Sequence, residues 1–465
     1  MWGIELRRQS EIPLKRQIYL ALKAQLLDGQ IKAGEALPST RELASCLNVS
    51  RNTVCEAYEM LFSEGFVLCR QGSPTRAAEG LCIEKTCDSG ALQEQIKQFH
   101  PILADFRTGR PDLRYFPRFL WSRLLLRGLE EMTLKQLDYA GPEGLPGLRG
   151  EIAAWLKRSR GIDVNFRDIF ITAGSTHALH LIAALLYQEG KKILIEDPCH
   201  LGMLRTFQNR GYPVRPAAVD EQGLQVEQLE GGDVCAVYVT PSHQFPLGGI
   251  LPAGRRAALI RFAREHGIYI VEDDYDSEFR YCGDPVTPLY SMDPRQVIYV
   301  GTFSKVLFPA LRIGYVILPE RLHEQWRYLR KHTDVQNPPF EQAALAEFLR
   351  TRKLDKYVRK MRRLYGERRK VLLQALESEF GKAWRPWGDA AGLHLAVEFP
   401  GMSFDDNFAN HCRSNGIRIT PVEYHCIRKG RHPDKLLLGY GHLEPEEIIK
   451  GISLLKSFLN DLDMQ

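Results

Sequence analysis

The sequence lacks the features that mark exported, metal-binding or membrane proteins. Its ten cysteines form no C-x-x-C pair and no cysteine–histidine cluster with the spacing of a metal site. We therefore predict reduced thiols, no bound metal and a cytoplasmic location. The first residues, MWGIELRRQS, contain no apolar signal segment, and no apolar run approaches the ~20 residues that cross a bilayer. We expect a protein that is neither exported nor in contact with a membrane.

The sequence also has no marked excess of charge of one sign. The 465 residues carry a net charge of +5, and 44% of them are apolar and 26% charged. Such a composition is typical of a soluble globular protein, and the length suits two or three domains. The mild positive charge permits a nucleic-acid partner without requiring one. No internal repeat or low-complexity tract is present.

The first eighty residues contain signals for three short helices. Apolar residues at helical spacing predict a helix over residues 12–27. Ser39, followed three positions later by Glu42, forms the capping-box pattern, which starts a second helix over residues 41–47. A third helix is predicted over residues 50–65, after a tight turn. Two helices joined in this way indicate a helix-turn-helix, whose second helix can enter the major groove of DNA.

Basic and polar side chains at the helix starts are the candidate DNA contacts. Helix starts are where phosphate and base contacts are made. The candidates are Arg41, Arg51 and Thr53, followed by Ser39, Ser50 and Asn52. The alternative is a small helical bundle whose charged side chains simply face water. Acidic and basic residues nearly balance in this segment, so the position of the side chains, and not net charge, favours DNA binding.

The string LPSTRELASCLNVSRNTVCEAYEMLFSEGF, within residues 10–76, resembles the winged helix-turn-helix of GntR-type transcription regulators. The resemblance implies a DNA-binding domain over residues 1–78 and double-stranded operator DNA as the partner. A strand at residues 66–68 and a basic wing from Arg70 complete the pattern. One departure is Pro74, which stands where the family commonly has a second glycine and so changes the expected path of the wing.

The chain after residue 78 divides into a linker and a large second domain. We predict a linker over residues 79–102, partly helical near residues 92–99, and a domain over residues 103–465. Short apolar runs in this domain alternate with amphipathic segments, which predicts an α/β fold with a mostly parallel sheet covered by helices on both faces. The runs are residues 169–171, 192–195, 234–239, 269–271, 297–300 and 315–318. Ligands of such sheets bind at the carboxyl ends of the strands.

The stretch GTFSKVLFPALRIG, residues 301–314, follows one of these strands and suits an aldehyde cofactor that carries a phosphate. Lys305 could form an imine if its apolar neighbours lower the pKa of its amine. Arg312 could bind the phosphate through its planar guanidinium, with the hydroxyls of Thr302 and Ser304 beside it. Taken alone, Lys305 also fits an ordinary lysine whose amine extends to water.

Four other strand ends carry polar motifs. Ser175 and Thr176 follow a glycine turn at a helix start, which predicts an anion-binding cup. His200, the segment TPSHQFPLG and the segment EDDY, with Asp273 and Tyr275, follow three further strands. Each motif alone is explained by a helix cap, a polar pair or a solvated acidic turn. Together, after five strands of one sheet, they indicate a cofactor site.

These motifs resemble those of the fold-type I aminotransferases, which use pyridoxal 5'-phosphate, over residues 103–465. The resemblance implies that Lys305 carries the cofactor, that Asp273 pairs with the pyridine nitrogen and that Tyr275 bonds the phenolic oxygen. It assigns the phosphate to Arg312, Ser304, Ser175 and Thr176. His200 stands where the family usually stacks an aromatic residue, commonly tyrosine, on the cofactor ring.

A GntR-type head joined to an aminotransferase-like body is similar to the MocR/GabR-type transcription regulators. Further strings support the resemblance, including FRTGRPDLRYFPRFLW, TPSHQFPLGG and VEDDYDSEFRY. It implies a head-to-tail homodimer that senses pyridoxal phosphate or a small amine and controls metabolic genes. The runner-up is an active aminotransferase with an accessory DNA-binding module, in which Lys305 is the base. A third alternative is a body that binds no cofactor.

One position and one basic stretch bear on the expected ligand and on the expected contact with DNA. Leu437 replaces the arginine with which many relatives clamp the carboxylate of an amino acid, so we expect an effector that is not a standard α-amino acid or that is held differently. Arg418, Arg428, Arg431 or Lys435 could substitute from nearby, but the favoured interpretation of each is a solvated surface charge. The basic stretch at residues 350–370 is predicted to be a solvated helix face. A minority interpretation is that it contacts DNA flanking the operator.

Overall fold

The structure is a computed structural model, and it describes residues 3–70, 73–81, 101–283, 286–388 and 390–463. The chain divides into two compact units, residues 1–97 and 98–465. Most of the predicted linker, including the helix expected near residues 92–99, lies outside the described residues. Among the helices that are described, none combines the length and the apolar character needed to cross a bilayer.

The first unit is a small helical domain with a short β-ribbon. Its elements are α1 (Leu14–Leu27), α2 (Thr40–Leu47), α3 (Arg51–Ser63), β1 (Val67–Leu68) and β2 (Arg76–Ala77). The predicted capping box is present, since the Ser39 side chain accepts from the Glu42 N–H and the Glu42 carboxylate accepts from the Ser39 N–H. Asn48, in the turn between α2 and α3, adopts a left-handed φ of 51°. The two strands pair antiparallel, and residues 71–72 of the predicted wing lie outside the described residues.

The boundaries of the predicted helices shift slightly in this unit. The first helix starts at Leu14, because Pro13 has an extended ψ of 144° and stands as its N-cap. The third ends at Ser63, two residues before Gly65, whose φ of +79° is left-handed. These shifts leave the apolar face intact, with Ile18, Leu22 and other apolar side chains fully buried.

The second unit is an α/β domain. Its strands are β3 (Ala104–Asp105), β4 (Ile169–Thr172), β5 (Lys192–Asp197), β6 (Val214–Asp220), β7 (Gly223–Leu224), β8 (Val234–Val239), β9 (Tyr269–Asp274), β10 (Val297–Thr302), β11 (Gly314–Ile317), β12 (Arg385–Trp387), β13 (His394–Glu398), β14 (Ile417–Arg418), β15 (Thr420–Pro421) and β16 (Lys435–Gly439). Its helices are α4 (Arg118–Glu130), α5 (Leu134–Leu137), α6 (Pro146–Arg160), α7 (Ser175–Leu185), α8 (Leu201–Asn209), α9 (Ala253–His266), α10 (Leu289–Met292), α11 (His323–Thr333), α12 (Pro339–Arg350), α13 (Lys353–Phe380), α14 (Asp406–Ser414) and α15 (Pro445–Asp463).

Eight strands form the large sheet, in the order β4-β11-β10-β9-β8-β5-β6-β7. The pairs from β10 to β6 are parallel, whereas β11 pairs antiparallel with both neighbours and β7 pairs antiparallel with β6. All six predicted runs are strands of this sheet. The strand β11 was predicted, but its antiparallel direction was not. It follows β10 through the short loop that carries Lys305, and that connection sets the direction of pairing.

Helices cover both faces of the sheet, as predicted. Along β10, Val297 and Tyr299 belong to one buried apolar cluster, and Ile298 and Val300 belong to another. The first cluster includes side chains of α6, α9, α12 and α13, and the second includes those of α7, α8 and α11. Because successive side chains of a strand point to opposite faces, two separate clusters mean that both faces are buried.

A smaller antiparallel sheet, ordered β12-β13-β16-β15, lies in the C-terminal part of this unit. The long helix α13 connects the region of α12 to this sheet, and its predicted apolar stripe is buried. The stripe is Leu354, Val358, Met361 and Tyr365. The basic residues between these positions therefore lie on the outer side of the helix.

Candidate functional site

A cavity of about 160 Å³ lies at the carboxyl ends of the large sheet's strands. Six of the nine residues proposed from sequence for the cofactor line it, namely Lys305, Asp273, Tyr275, Ser175, Thr176 and His200. The other lining residues are Thr108, Gly109, Met203, Tyr238, Thr240, Phe245 and His394. The strands β4, β5, β8, β9 and β10 run in the same direction in one sheet, so their carboxyl ends lie at the same edge as this cavity.

Lys305 reaches into the cavity from the loop after β10. Its Nζ donates a hydrogen bond of 2.9 Å to the carbonyl oxygen of Gly109. Burial lowers the pKa of the Lys305 amine, and the carboxylates of Asp276 and Asp273 offset part of that shift. A lowered pKa increases the neutral, nucleophilic fraction of the amine at neutral pH.

Gly109 leaves room for that amine. A Cβ atom at position 109 would lie 2.7 Å from Nζ of Lys305, and the residue has a left-handed φ of +67°. The backbone conformation therefore favours glycine here, and an added Cβ would displace the amine end of the Lys305 side chain. The sequence offered no sign of this contact, because the two residues are 196 positions apart.

Asp273 occupies the middle of the cavity, at the end of β9. Its Oδ2 accepts a hydrogen bond of 2.8 Å from the Tyr238 hydroxyl. Its Oδ1 is buried and has no partner among the described residues. Burial raises the pKa of Asp273 to about 7, against the lowering effect of the Tyr238 hydrogen bond. A buried carboxylate oxygen without a partner is costly, so this site fits a ligand that brings a positively charged donor.

One end of the cavity has the features of an anion site. Ser175 and Thr176 form the first turn of α7, preceded by Gly174 with a φ of +87°. Nη2 of Arg312 donates a 2.6 Å hydrogen bond to the carbonyl oxygen of Ala173, in the same turn. A Cβ at Gly174 would lie 3.1 Å from Nη1 of Arg312, so glycine permits this close approach. Free N–H groups, two hydroxyls and a guanidinium fit a phosphate group.

Thr302 and Ser304 lie beside the cavity without lining it. Oγ1 of Thr302 accepts a hydrogen bond of 3.2 Å from the Ser304 N–H and lies 3.1 Å from the Ser304 hydroxyl. Thr302 is buried at 6% exposure. In the structure these hydroxyls stabilise the turn that presents Lys305, so a contact with a phosphate remains a prediction for both.

A group of four polar side chains lies next to Lys305, and the sequence did not single it out as a site. Nδ1 of His243 is 3.0 Å from Oδ1 of Asp276 and 3.0 Å from the Tyr275 hydroxyl. His394 of β13 packs against His243, with ring centroids 5.1 Å apart. Burial lowers the pKa of His394 to about 4, and its Nε2 is 3.0 Å from the Pro246 carbonyl oxygen.

Two sequence motifs contain members of this group: TPSHQFPLGG contains His243, and YDSEF contains Tyr275 and Asp276. His243, Asp276 and His394 each offer a ligand atom within 4.8 Å of the others, a spacing that would also admit a metal ion. However, Nδ1 of His243 already contacts Asp276 and the Tyr275 hydroxyl. We therefore interpret the group as a hydrogen-bonded support for Tyr275.

His200 starts α8 and lies on the cavity wall. Its Nδ1 accepts a hydrogen bond of 3.1 Å from the Gly202 N–H, and its ring centroid is 5.3 Å from that of Phe245. Because Nδ1 accepts, the proton of the neutral ring lies on Nε2. The ring is thus held in place at the position where the resemblance implied a stacking aromatic residue.

Leu437 is fully buried in β16, opposite Ala396 of β13. It packs in an apolar cluster with Leu247, Val422 and Cys426, and it does not line the cavity. Of the possible substitutes for an arginine here, Lys435 pairs with Glu398 and Asp434, and Arg418 lies 3.7 Å from Asp105. Position 437 therefore supplies no group that could bind a ligand's carboxylate in this cavity.

The proposed DNA contacts lie at the starts of α2 and α3. Ser39, Arg41, Ser50, Arg51 and Asn52 are exposed, and Thr53 is half-buried. Ser50 caps α3, since its hydroxyl accepts from the Thr53 N–H at 3.1 Å. Nε of Arg51 donates a 3.3 Å hydrogen bond to the Thr40 hydroxyl, which links the two helix starts. The Asn52 amide donates a 3.2 Å hydrogen bond to the Glu56 carboxylate within α3.

Comparisons with known proteins match both parts of the chain. The family of bacterial regulatory proteins, gntR family, matches residues 14–76, and the family of aminotransferase class I and II matches residues 127–433. The probable rhizopine catabolism regulatory protein MocR of Rhizobium meliloti is 31% identical over 97% of this chain and 95% of its own length. This chain belongs to the MocR/GabR-type transcription regulators.

A second relative of this MocR/GabR-type regulator is the HTH-type pyridoxine biosynthesis transcriptional regulator PdxR of Corynebacterium glutamicum. It is 31% identical over 94% of this chain and 94% of its own length. Kynurenine aminotransferase of Pyrococcus horikoshii, solved in complex with PMP, has a TM-score of 0.72 and 27% identity, covering 78% of this chain and 91% of that chain. The MocR/GabR-type assignment and the α/β fold class predicted from sequence are confirmed, and relatives named as transcription regulators favour regulation over enzymatic activity.

Proposed function

We propose that this MocR/GabR-type regulator binds pyridoxal 5'-phosphate and thereby senses a small amine, or the cofactor itself, to control metabolic genes. The observation that carries the proposal is that Lys305 and Asp273 line the same cavity. The first supplies an amine with a lowered pKa, and the second a buried carboxylate oxygen without a described partner. A cofactor with an aldehyde and a protonated ring nitrogen satisfies both groups.

Each end of the cofactor has chemically matched residues in this proposal. Lys305 binds the aldehyde end, Asp273 the ring nitrogen, Tyr275 the phenolic oxygen, and His200 lies against the ring. Ser175, Thr176 and Arg312 hold the phosphate, with Ser304 and Thr302 beside them. When bound, the group supplies an aldehyde that condenses with amines and a ring that withdraws electrons.

The Tyr275 hydroxyl is positioned to donate a hydrogen bond to the phenolic oxygen of the cofactor. A carboxylate only accepts hydrogen bonds, so the Nδ1 proton of His243 is directed at Asp276. The Tyr275 hydroxyl, 3.0 Å from the same nitrogen, then keeps its own proton for a group in the cavity. Burial raises the pKa of Tyr275 well above its usual value, which keeps the phenol protonated at neutral pH.

The nature of the effector follows from Leu437. A buried leucine offers no partner to a carboxylate, so the usual clamp for an α-amino acid is missing at this position. We therefore favour pyridoxal phosphate itself, or an amine without an α-carboxylate, as the effector. The name of the PdxR relative, which refers to pyridoxine biosynthesis, supports the first of these.

We also propose a homodimer. Large apolar side chains are exposed on and around α4 and α5. They are Phe119 at 78% exposure, Leu126 at 61%, Leu134 at 85% and Tyr139 at 82%. An exposed apolar surface of this kind is typical of a protein interface, and the resemblance to the family makes a second copy of the chain the expected partner. Light scattering should give twice the mass of the chain, and Leu134→Lys should reduce it.

Borohydride trapping tests the cofactor site directly. The purified protein is incubated with pyridoxal phosphate, reduced, digested and analysed by mass spectrometry. We expect the pyridoxyl mass on Lys305 and none on Lys331, an exposed lysine of α11 that serves as an internal control. Labelling spread over several surface lysines, or absent from Lys305, would contradict the proposal. A footprint upstream of the gene, with and without cofactor, then tests its effect on operator binding.

An active aminotransferase is the second candidate, because Lys305 combines the position and lowered pKa of a base. The two candidates predict different results when amine and keto acid are supplied. Turnover at the rate of an ordinary enzyme, with promoter fragments bound no better than random DNA, would favour the enzyme. Saturable promoter binding that responds to the cofactor, with little or no turnover, would favour the regulator.

A further inference from the structure

A second cavity, of about 560 Å³, lies outside the cofactor site. It is formed by the end of α6, the residues after β9 and the start of α13. Six arginines line it, namely Arg158, Arg160, Arg280, Arg352, Arg359 and Arg362, against the two carboxylates of Glu278 and Asp355. Such an excess of guanidinium groups around one concave space is unfavourable unless an anion neutralises it.

Part of this cavity is rigidly built. The side chain of Arg160 is only 5% exposed and lies between Asp274 at 3.2 Å and Glu278 at 3.3 Å. Nε of Arg362 donates a 2.8 Å hydrogen bond to the backbone oxygen of Glu278. Arg158 lies 3.7 Å from Asp355, and one oxygen each of Glu278 and Asp355 has no hydrogen-bond partner among the described residues. The two carboxylates still leave a net positive charge, because six guanidinium groups line the same cavity.

Arg280 provides the observation that points to a ligand. Its Nε is buried and has no hydrogen-bond partner among the described residues. A buried guanidinium N–H without an acceptor is costly in a folded protein. Arg352 and Arg359 are exposed at the rim, and Arg352 has a left-handed φ of 58°.

We propose that this cavity is a binding site for a small anion that carries a phosphate, such as inorganic phosphate or a phosphomonoester. Guanidinium groups that line one cavity can bind the oxygens of a tetrahedral dianion through paired, charge-assisted hydrogen bonds. A volume of about 560 Å³ lies in the range of small-molecule sites. The site shares β9 with the cofactor cavity, because Asp274, which pairs with Arg160, directly follows Asp273.

The test uses the full-length protein loaded with cofactor and reduced, so that the phosphate site near Ser175 is already occupied. Inorganic phosphate and glycerol 3-phosphate are titrated by calorimetry. We expect saturable binding that weakens about tenfold or more in Arg280→Gln/Arg359→Gln. The single variant Arg359→Gln, at an exposed residue, should weaken binding in the same direction and guards against misfolding of the double variant.

A matched control separates a defined site from general charge. Arg363→Gln/Lys370→Gln removes the same number of charges from exposed positions of α13 that do not line this cavity. This variant should keep wild-type affinity for both probes. Absence of saturable binding in the wild type, or equal weakening in both double variants, would overturn the proposal.

The DNA backbone is the other source of phosphate. If the cavity bound the DNA backbone, Arg280→Gln/Arg359→Gln would reduce the salt dependence of promoter binding. Neither inorganic phosphate nor glycerol 3-phosphate would then bind saturably. That pair of results would also overturn the small-anion proposal. Loss of phosphate binding with an unchanged salt slope would support it.

Discussion

The hydroxyl of Tyr238 donates a 2.8 Å hydrogen bond to Oδ2 of Asp273, and Oδ1 of the same carboxylate is left without a described partner. The two residues come from adjacent parallel strands, β8 and β9. One oxygen of the carboxylate is thus fixed by the protein, and the other is buried without a partner at a residue that lines the cavity. A ligand that donates to Oδ1 completes the arrangement.

Replacement of Asp273 by asparagine should weaken cofactor binding by about 10- to 100-fold, because a charge-assisted hydrogen bond to the ring nitrogen becomes a neutral one. The Tyr238 contact survives, since the amide oxygen still accepts. Titration of the visible absorption band with pyridoxal phosphate measures the affinity. Tyr238→Phe is the companion variant, and a smaller loss is expected there. Equal affinity for wild type and Asp273→Asn would show that the carboxylate does not pair with the cofactor.

The cofactor-free protein should lose stability between about pH 4 and pH 7 through Asp273. Its pKa in the folded protein is raised from 3.8 to about 7, so the folded state binds the proton more tightly than the unfolded state. The resulting stabilisation is full below the lower pKa and is lost as pH rises through the higher one. Urea unfolding at several pH values should show a loss of stability, of which a share on the order of 4 kcal/mol disappears in Asp273→Asn. The rest remains, because burial also raises the pKa values of Glu196 and Glu272 to about 7. An identical pH profile in the variant would exclude Asp273 as the cause.

Substitution of Gly109 by alanine should impair the reaction of Lys305 with the cofactor. The new Cβ would lie 2.7 Å from Nζ, at a residue with left-handed φ, so the amine must move. We expect labelling by borohydride trapping to slow by about tenfold or more. Gly150→Ala is the control, because a Cβ in that helical position meets no atom within 4 Å. It should leave the labelling rate unchanged.

Ser50 allows helix capping and DNA contact to be separated. Ser50→Asp keeps an N-cap acceptor for the Thr53 N–H but places a negative charge beside the DNA backbone. We predict nearly wild-type thermal stability and promoter binding weakened by about tenfold or more, measured by fluorescence anisotropy. Ser50→Ala, in contrast, should cost about 1 kcal/mol of stability. Tight promoter binding by the aspartate variant would place the DNA elsewhere.

Introduction of an arginine at position 437 should destabilise the protein and should not restore a carboxylate clamp. Leu437 is fully buried among apolar side chains, so the guanidinium would be buried without a partner. We expect a loss of about 3 kcal/mol or more in urea unfolding. Leu437→Met, which preserves volume, should cost less than about 1.5 kcal/mol. A stable arginine variant that binds α-amino acids would show that the pocket can open to this strand.

Much of the fold was predictable because the signals are local. The six apolar runs of the second domain are all strands of the large sheet, and Ser39 with Glu42 forms the expected capping box. The acidic segment EDDY was harder to interpret. As an isolated string it fits a solvated turn, but Glu272, Asp273 and Asp274 are buried in β9. Their neighbours, including Tyr238, Arg160 and the N–H groups of Leu289 and Tyr290, come from distant parts of the chain.

The sequence by itself determined the architecture and six of the thirteen residues that line the cavity around Lys305, because strand periodicity, helix caps and polar residues after strands are encoded within a few neighbouring positions. Only the tertiary structure decided which groups meet there. Gly109 lies against Lys305, His394 packs on His243, and Leu437 packs in an apolar cluster, because strand order and the packing of the small sheet bring together residues that are far apart in the sequence. Local sequence patterns thus identified candidate residues. Long-range packing set the distances between them, their burial and therefore their pKa values.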